Sequence, residues 1–208
     1  MSETSTARRV RKTPDQRRAE LAAAAREIAL EQGLDAVTLR AVASRVGVAP
    51  GLVAHYADGM EALVADAFGD LVSAELAEVA ALISAVDDPA ARIGVLLETL
   101  LDGSRTDITL VWVQAWGLGA RAETLAARVR AEMDDWQRVL AAEVERGMDA
   151  GVFAVGDADA IAWHLLAIID GLNAHSLVRW DGQPDRRGLV QRAVAGLLGV
   201  APAQLRGR

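Results

Sequence analysis

A chain of 208 residues, 52% of them apolar, has enough material to bury a sizeable core and is too apolar to be disordered. Cysteine is absent, which excludes disulfides and thiolate metal sites, and no apolar run approaches the ~20 residues of a membrane span. The opening residues Met1 to Arg9 lack the apolar centre of a secretion signal, so a soluble cytoplasmic protein is expected; the net charge of −7 argues against a chain that coats nucleic acid along its whole surface.

The charge is unevenly spread. Residues 1–60 carry nine basic and seven acidic side chains, whereas residues 61–208 carry thirteen and twenty-two. Arg8, Arg9, Arg11, Lys12, Arg17 and Arg18 crowd the start. A basic head on an acidic body suits a protein that meets DNA at one end, and equally a solvated tail. Ala, Leu, Arg and Glu dominate throughout, and alternating β-branched runs are scarce, so an all-α fold is expected.

The first helix is predicted to start at Thr13-Pro14-Asp15-Gln16, where threonine caps, proline suits the first turn and glutamine completes a capping box. Leu21, Ala25, Ile28 and Ala29 give it one apolar face, and Gly33 ends it. A second helix runs from Thr38 to Gly47. A third, short one begins near Pro50 and ends by Tyr56 or Ala57. Asp58-Gly59 then breaks the chain. A long helix follows over about Met60–Val86, burying Val64, Phe68, Leu71, Leu76, Val79 and Ile83. Further helices are predicted over about 89–102, 107–119, 122–150, 157–180 and 185–198, each bounded by Gly, Pro or Asp. The expected organisation is a basic arm (1–13), a small helical DNA-binding bundle (14–75, with its helix-turn-helix over about 38–57) and a larger helical ligand-binding and dimerisation domain (76–200).

Residues 37–56 place two short helices around a tight turn at Gly47, with Leu39, Val42, Ala43 and Val46 packing inward from one and Val48, Leu52 and Val53 from the other. Such a corner either pushes the second helix outward into a major groove or is an ordinary αα-corner of a bundle. Gly33, Thr38, Leu39, Ala43, the run Gly47-Val48-Ala49-Pro50-Gly51-Leu52-Val53, His55-Tyr56 and Glu61-Ala62-Leu63 together resemble the DNA-binding segment of the TetR family of regulators, over about residues 14–75. The resemblance implies a homodimer on a pseudo-palindromic operator, acting as a repressor that a small molecule releases, with no cofactor and no enzymatic activity. It also implies roles for single residues. Thr38 would cap its helix and meet phosphate, and Arg40 would face phosphate or a base edge. Ala49, Pro50, Gly51 and Leu52 would open the recognition helix against the groove, and His55 and Tyr56 would reach phosphates on its far wall. Several positions depart from the family pattern: Met60 replaces a lysine, Ala54 a tyrosine, Ala57 a phenylalanine and Leu52 a threonine. Base readout is therefore expected to be thin, with the N-terminal arginines contributing more, as arms in a minor groove do.

All five tryptophans lie at or beyond position 112. Trp112 and Trp116 share a helical face, and Trp136 and Trp163 lie on other helices that can converge on them, so these four are candidates for lining a ligand pocket; taken singly, each also fits plain core packing. Their spacing, with Gly151-Val152-Phe153 and Ile169-Asp170-Gly171-Leu172, resembles the ligand domain of the choline-responsive TetR subgroup, a likeness of fold that does not by itself transfer a ligand. Ile161, Leu165, Ile168, Leu172 and His175, with Val190, Ala193, Val194 and Leu197, form stripes expected to pair two subunits in a four-helix contact. The long helix from Met60 is the only continuous link the sequence offers between pocket and DNA head. His164, Asp170 and Ser176 fall on different faces of one helix and make no triad, and no nucleophile elbow, phosphate loop or metal cluster is present. A helical adaptor without DNA binding is the remaining alternative.

Overall fold

The computed structural model describes residues 12–180 and 186–205. Among these, nine α-helices and no strand are present. They are α1 (Pro14–Gln32), α2 (Leu39–Val46), α3 (Pro50–Tyr56), α4 (Met60–Ser84), α5 (Pro89–Leu101), α6 (Thr106–Gly119), α7 (Glu123–Asp149), α8 (Ala158–Leu177) and α9 (Arg186–Leu198). A 3-10 turn over Leu34–Ala36 joins α1 to α2, and another over Pro202–Leu205 follows α9.

Local chemistry sets the helix ends. The Thr13 hydroxyl accepts the Gln16 N–H, and the Gln16 side chain accepts the Thr13 N–H, so the predicted capping box is formed. Thr38, Asp88 and Asp157 cap α2, α5 and α8 in the same way through their side-chain oxygens. Gly47 closes α2 in the left-handed region, φ 69°, which a side chain would disfavour. The last long helix is shorter than the sequence pattern implies. It stops at Leu177, and the Trp180 N–H folds back onto the His175 carbonyl.

Helices α1 to α3 and the first half of α4 form the small bundle around Leu21, Ala25, Ile28, Leu34, Val42, Val53 and Phe68, all buried. Helix α4 continues without a break into the larger bundle, where α5, α6 and α7 pack against it. Between α5 and α7 lies a buried bidentate pair: Arg92 Nε and a terminal nitrogen bond Glu143 at 2.5 and 2.7 Å, and the third nitrogen bonds the Val86 carbonyl. Every polar atom of that guanidinium is thus used, which is what lets a charge sit in the core. Among the described residues no helix is long and apolar enough to cross a membrane.

Candidate DNA-binding face and ligand cavity

The first site is the outer edge of the small bundle. Val42 and Ala43 of α2 and Val53 of α3 point inward, and the Val48 N–H bonds the Ala43 carbonyl across the turn. Thr38, Arg40, Ala49, Pro50, Gly51 and His55 are exposed, and Leu52 and Tyr56 are half-buried. The Thr38 hydroxyl is already engaged by the Ala41 N–H at 3.1 Å. Arg40 has no ion-pair partner among the described residues, unlike Arg45, which is held by Glu27 and Glu31 at 3.2 and 2.6 Å. Tyr56 stands edge-on to His55, with ring centroids 5.1 Å apart, and the Arg18 guanidinium lies 5.9 Å over its ring. Spacing along the chain offers no hint of that guanidinium–ring pairing.

Within the basic cluster, Lys12 and Arg17 both bond Glu20 and Arg18 bonds Asp15 at 3.1 Å, so two acids of α1 offset part of the charge of these three bases. Arg8, Arg9 and Arg11 lie outside the described residues.

The second site is a cavity of about 50 Å³ among α4, α6, α7 and α8. Trp112 and Trp116 of α6 and Trp136 of α7 line it, with rings of the first two 5.9 Å apart and Trp112 set edge-on against buried Phe68 of α4. Trp163 does not join them. It precedes the first cavity residue of α8, Leu166, by about a turn and is 62% exposed, on the outward face of the helix.

Three charged residues complete the walls, and none was singled out from sequence as a ligand contact: Glu75 of α4, Arg105 at the start of α6 and Asp170 of α8. Glu75 lies on the apolar stripe of α4 with Phe68, Val72 and Val79, and a carboxylate at such a position is the signal sequence reading overlooked. Burial pushes its pKa up to about 7 in spite of the opposing pull of Arg105 and the Trp112 indole. Arg105 is 3.8 Å from Glu75 but bonds Glu78 at 2.7 Å, so its charge is largely committed elsewhere. Among the described residues Asp170 has no hydrogen bond or ion pair, and burial pushes it up to about 6. Arg105 Nε and the indole N–H groups of Trp116 and Trp136 are buried donors without a protein acceptor. The cavity thus joins aromatic faces, two carboxylates short of positive charge and three free donors.

Of the predicted subunit stripe, Leu165 is fully buried inside the subunit, Ile161, Ile168 and Leu172 pack partly buried against the same core, Val190 and Val194 of α9 are buried in it, and His175 is exposed. Trp163 and Ala167 of α8 are exposed as well, with Val178 just beyond the helix. Of the six large apolar side chains exposed among the described residues, Trp163, Val178, Trp180 and Leu189 lie on α8, just beyond it or on α9.

Residues 21–67 match the family model described as bacterial regulatory proteins, tetR family, and residues 89–199 match that of the BetI-type transcriptional repressor C-terminal domain. No curated protein matches the chain. Among solved structures, a transcriptional regulator from Rhodococcus sp. Rha1 is 25% identical over 93% of this chain and 94% of its own, with a TM-score of 0.66. One from Pseudomonas aeruginosa PAO1 is 24% identical over 94% and 97%, with a TM-score of 0.70. A regulator from Saccharomonospora viridis in complex with choline is 24% identical over 81% and 88%, with a TM-score of 0.71.

Proposed function

The chain belongs to the TetR family of DNA-binding transcriptional regulators and carries a C-terminal domain of the BetI repressor type, and from that premise we propose that it is a dimeric repressor released from its operator by a quaternary-ammonium compound. The observation that carries the ligand class is the pair of carboxylates, buried Glu75 and half-buried Asp170, lining a cavity walled by Trp112, Trp116 and Trp136. A permanent cation without N–H groups is attracted by both features: the ring faces through their quadrupoles and the carboxylates through charge in a site that excludes water. The three unpaired donors suit a hydroxyl or carbonyl oxygen elsewhere on the same molecule. The choline held by the Saccharomonospora viridis regulator is of this class.

The DNA-binding reading rests on the family match over residues 21–67, with α3 entering the major groove and Thr38, Arg40, Ala49, Pro50, Gly51, Leu52, His55 and Tyr56 as the contact residues. The outward face of α8 with α9 supports the dimer, because Trp163 and Trp180, at 62% and 66% exposed, are costly to leave in water. Trp163 is therefore an interface residue in this account.

The charge requirement is testable with two probes of the same shape. Choline and its carbon isostere 3,3-dimethyl-1-butanol differ only in the positive nitrogen. Quenching of tryptophan emission by choline, with little by the isostere, is the expected result; equal binding of both would leave the cavity as a site for neutral apolar molecules.

A further inference from the structure

Gln114 lies on α6 two residues from Trp112 and two from Trp116. At about 100° per residue, that spacing puts it on the opposite side of the helix from both. The tryptophans face the cavity, whereas Gln114 faces the DNA-binding bundle. Its Oε1 accepts the backbone N–H of Leu34 at 2.5 Å, and its Nε2 donates to Asp35 Oδ1 at 2.9 Å. The first N–H of a short helical turn has no partner inside that turn, so the Leu34 amide requires an outside acceptor, and Gln114 supplies it. Both ends of one side-chain amide are thus spent on one corner of backbone. The approach is close enough that a Cβ on Gly33 would lie 2.7 Å from both amide atoms, and Gly33 itself has φ 94°. Leu34 is wholly buried beneath the amide. Residues 33–36 join α1 to α2, so this clasp grips the frame from which α2 and α3 project.

We propose that Gln114 is the residue through which the cavity acts on the DNA-binding bundle. Helix α4 is then not the only link, as the sequence alone implied; α6 is a second, with cavity wall on one side and clasp on the other. The cavity of about 50 Å³ is well below the ~150 Å³ that admits benzene, so an organic ligand enters only by displacing its walls. When the Trp112–Trp116 face of α6 moves, the clasp carries the displacement to residues 33–36 and reorients the recognition helix. The ligand arm of this inference rests on the quaternary-ammonium reading; the clasp itself does not.

The test uses Gln114→Leu, which removes both hydrogen bonds while keeping most of the volume, and Asp35→Ala, which removes one from the far side. The DNA is the fragment that the wild-type protein enriches from a random-sequence pool. None of the tryptophans lies in the DNA-binding third, so emission under selective tryptophan excitation reports the larger bundle alone. DNA is expected to change the wild-type emission, with the change lost in Gln114→Leu and reduced in Asp35→Ala at equal DNA occupancy. The factor by which choline weakens DNA binding is expected to fall by about tenfold in Gln114→Leu, the worth of one to two hydrogen bonds, with choline affinity in the absence of DNA unchanged. Wild-type emission that ignores DNA, or variants that respond like the wild type, overturn the clasp. If choline leaves wild-type DNA affinity unaltered while the emission change still depends on Gln114, the ligand reading fails and the clasp stands.

Discussion

Replacing Asp170 by asparagine removes one charge from the cavity and almost no volume. Burial raises this carboxyl from an ordinary 3.8 to about 6, and at ~1.4 kcal/mol per pKa unit, keeping it ionised in the empty cavity costs on the order of 3 kcal/mol. A group whose pKa is raised by folding holds its proton in the folded state when the unfolded chain has already lost it. Its contribution to stability is therefore full below about pH 4 and is lost as the pH rises through about 6; Glu75, on the other wall of the cavity, extends the same loss to about 7. A bound cation reverses that penalty. Choline should bind wild-type protein weakly at about pH 5, where both carboxyls are largely protonated, and up to roughly a thousandfold more tightly at about pH 8, about tenfold of it from Asp170 and about a hundredfold from Glu75. Asp170→Asn should lose the tenfold share and should itself be more stable than the wild type at about pH 8, by up to ~3 kcal/mol. Tryptophan quenching by choline and urea unfolding, each at the two pH values, measure both effects. A variant that binds choline as tightly as the wild type at about pH 8, or a wild type whose affinity does not change with pH, would refute this use of the carboxylates.

Other consequences are simpler to read. Tyr56→Phe deletes only a hydroxyl at the edge of the DNA-binding face, and loss of one bond to a charged phosphate should weaken DNA binding by about 10- to 100-fold in a mobility-shift titration, with an unchanged unfolding curve. Deleting residues 1–12 should lower the slope of log affinity against log salt by about 0.9 for each DNA phosphate that these side chains neutralise; an unchanged slope would make these basic residues a solvated tail. Arg92→Leu leaves buried Glu143 with only Arg146, 3.7 Å away, and should cost up to about 3–5 kcal/mol in urea unfolding, whereas replacing both Arg92 and Glu143 by apolar residues should restore much of it. Val178→Glu, at a position 75% exposed in the single subunit, should give a folded monomer by light scattering; a persisting dimer would place the subunit contact elsewhere.

Sequence order alone located the helices closely, because their ends are written in local chemistry: the Thr13 capping box, Thr38 and Asp157 at N-termini, and Gly47 in the left-handed region. The two short helices around Gly47 were legible for a related reason, since they lie within one short segment and a known turn joins them. The cavity was only half legible. Trp112 and Trp116 share a helix and its phase, but Glu75, Arg105 and Asp170 reach the cavity from three different helices, and no spacing along the chain encodes that convergence. Trp163 was misplaced because residue type suggested a pocket while its position, a turn before Leu166, put it outside. The stripe through Leu165 was ambiguous because an apolar face does not say whether its own core or a second chain covers it: Leu165 lies in the subunit's own core, whereas His175 is exposed. The pairing of Lys12 and Arg17 with one acid, Glu20, shows the same limit for charge: counts along a segment do not reveal which charges cancel.

The central claim is that one molecule couples a cation site to DNA, and coupling between two binding sites must be reciprocal. The most direct measurement is a paired titration: labelled DNA from the enriched pool followed by fluorescence anisotropy at several choline concentrations, and choline followed by tryptophan quenching with and without saturating DNA. Choline should weaken DNA binding, and DNA should weaken choline binding by the same factor. Choline that binds with equal affinity to free and DNA-bound protein would contradict the claim.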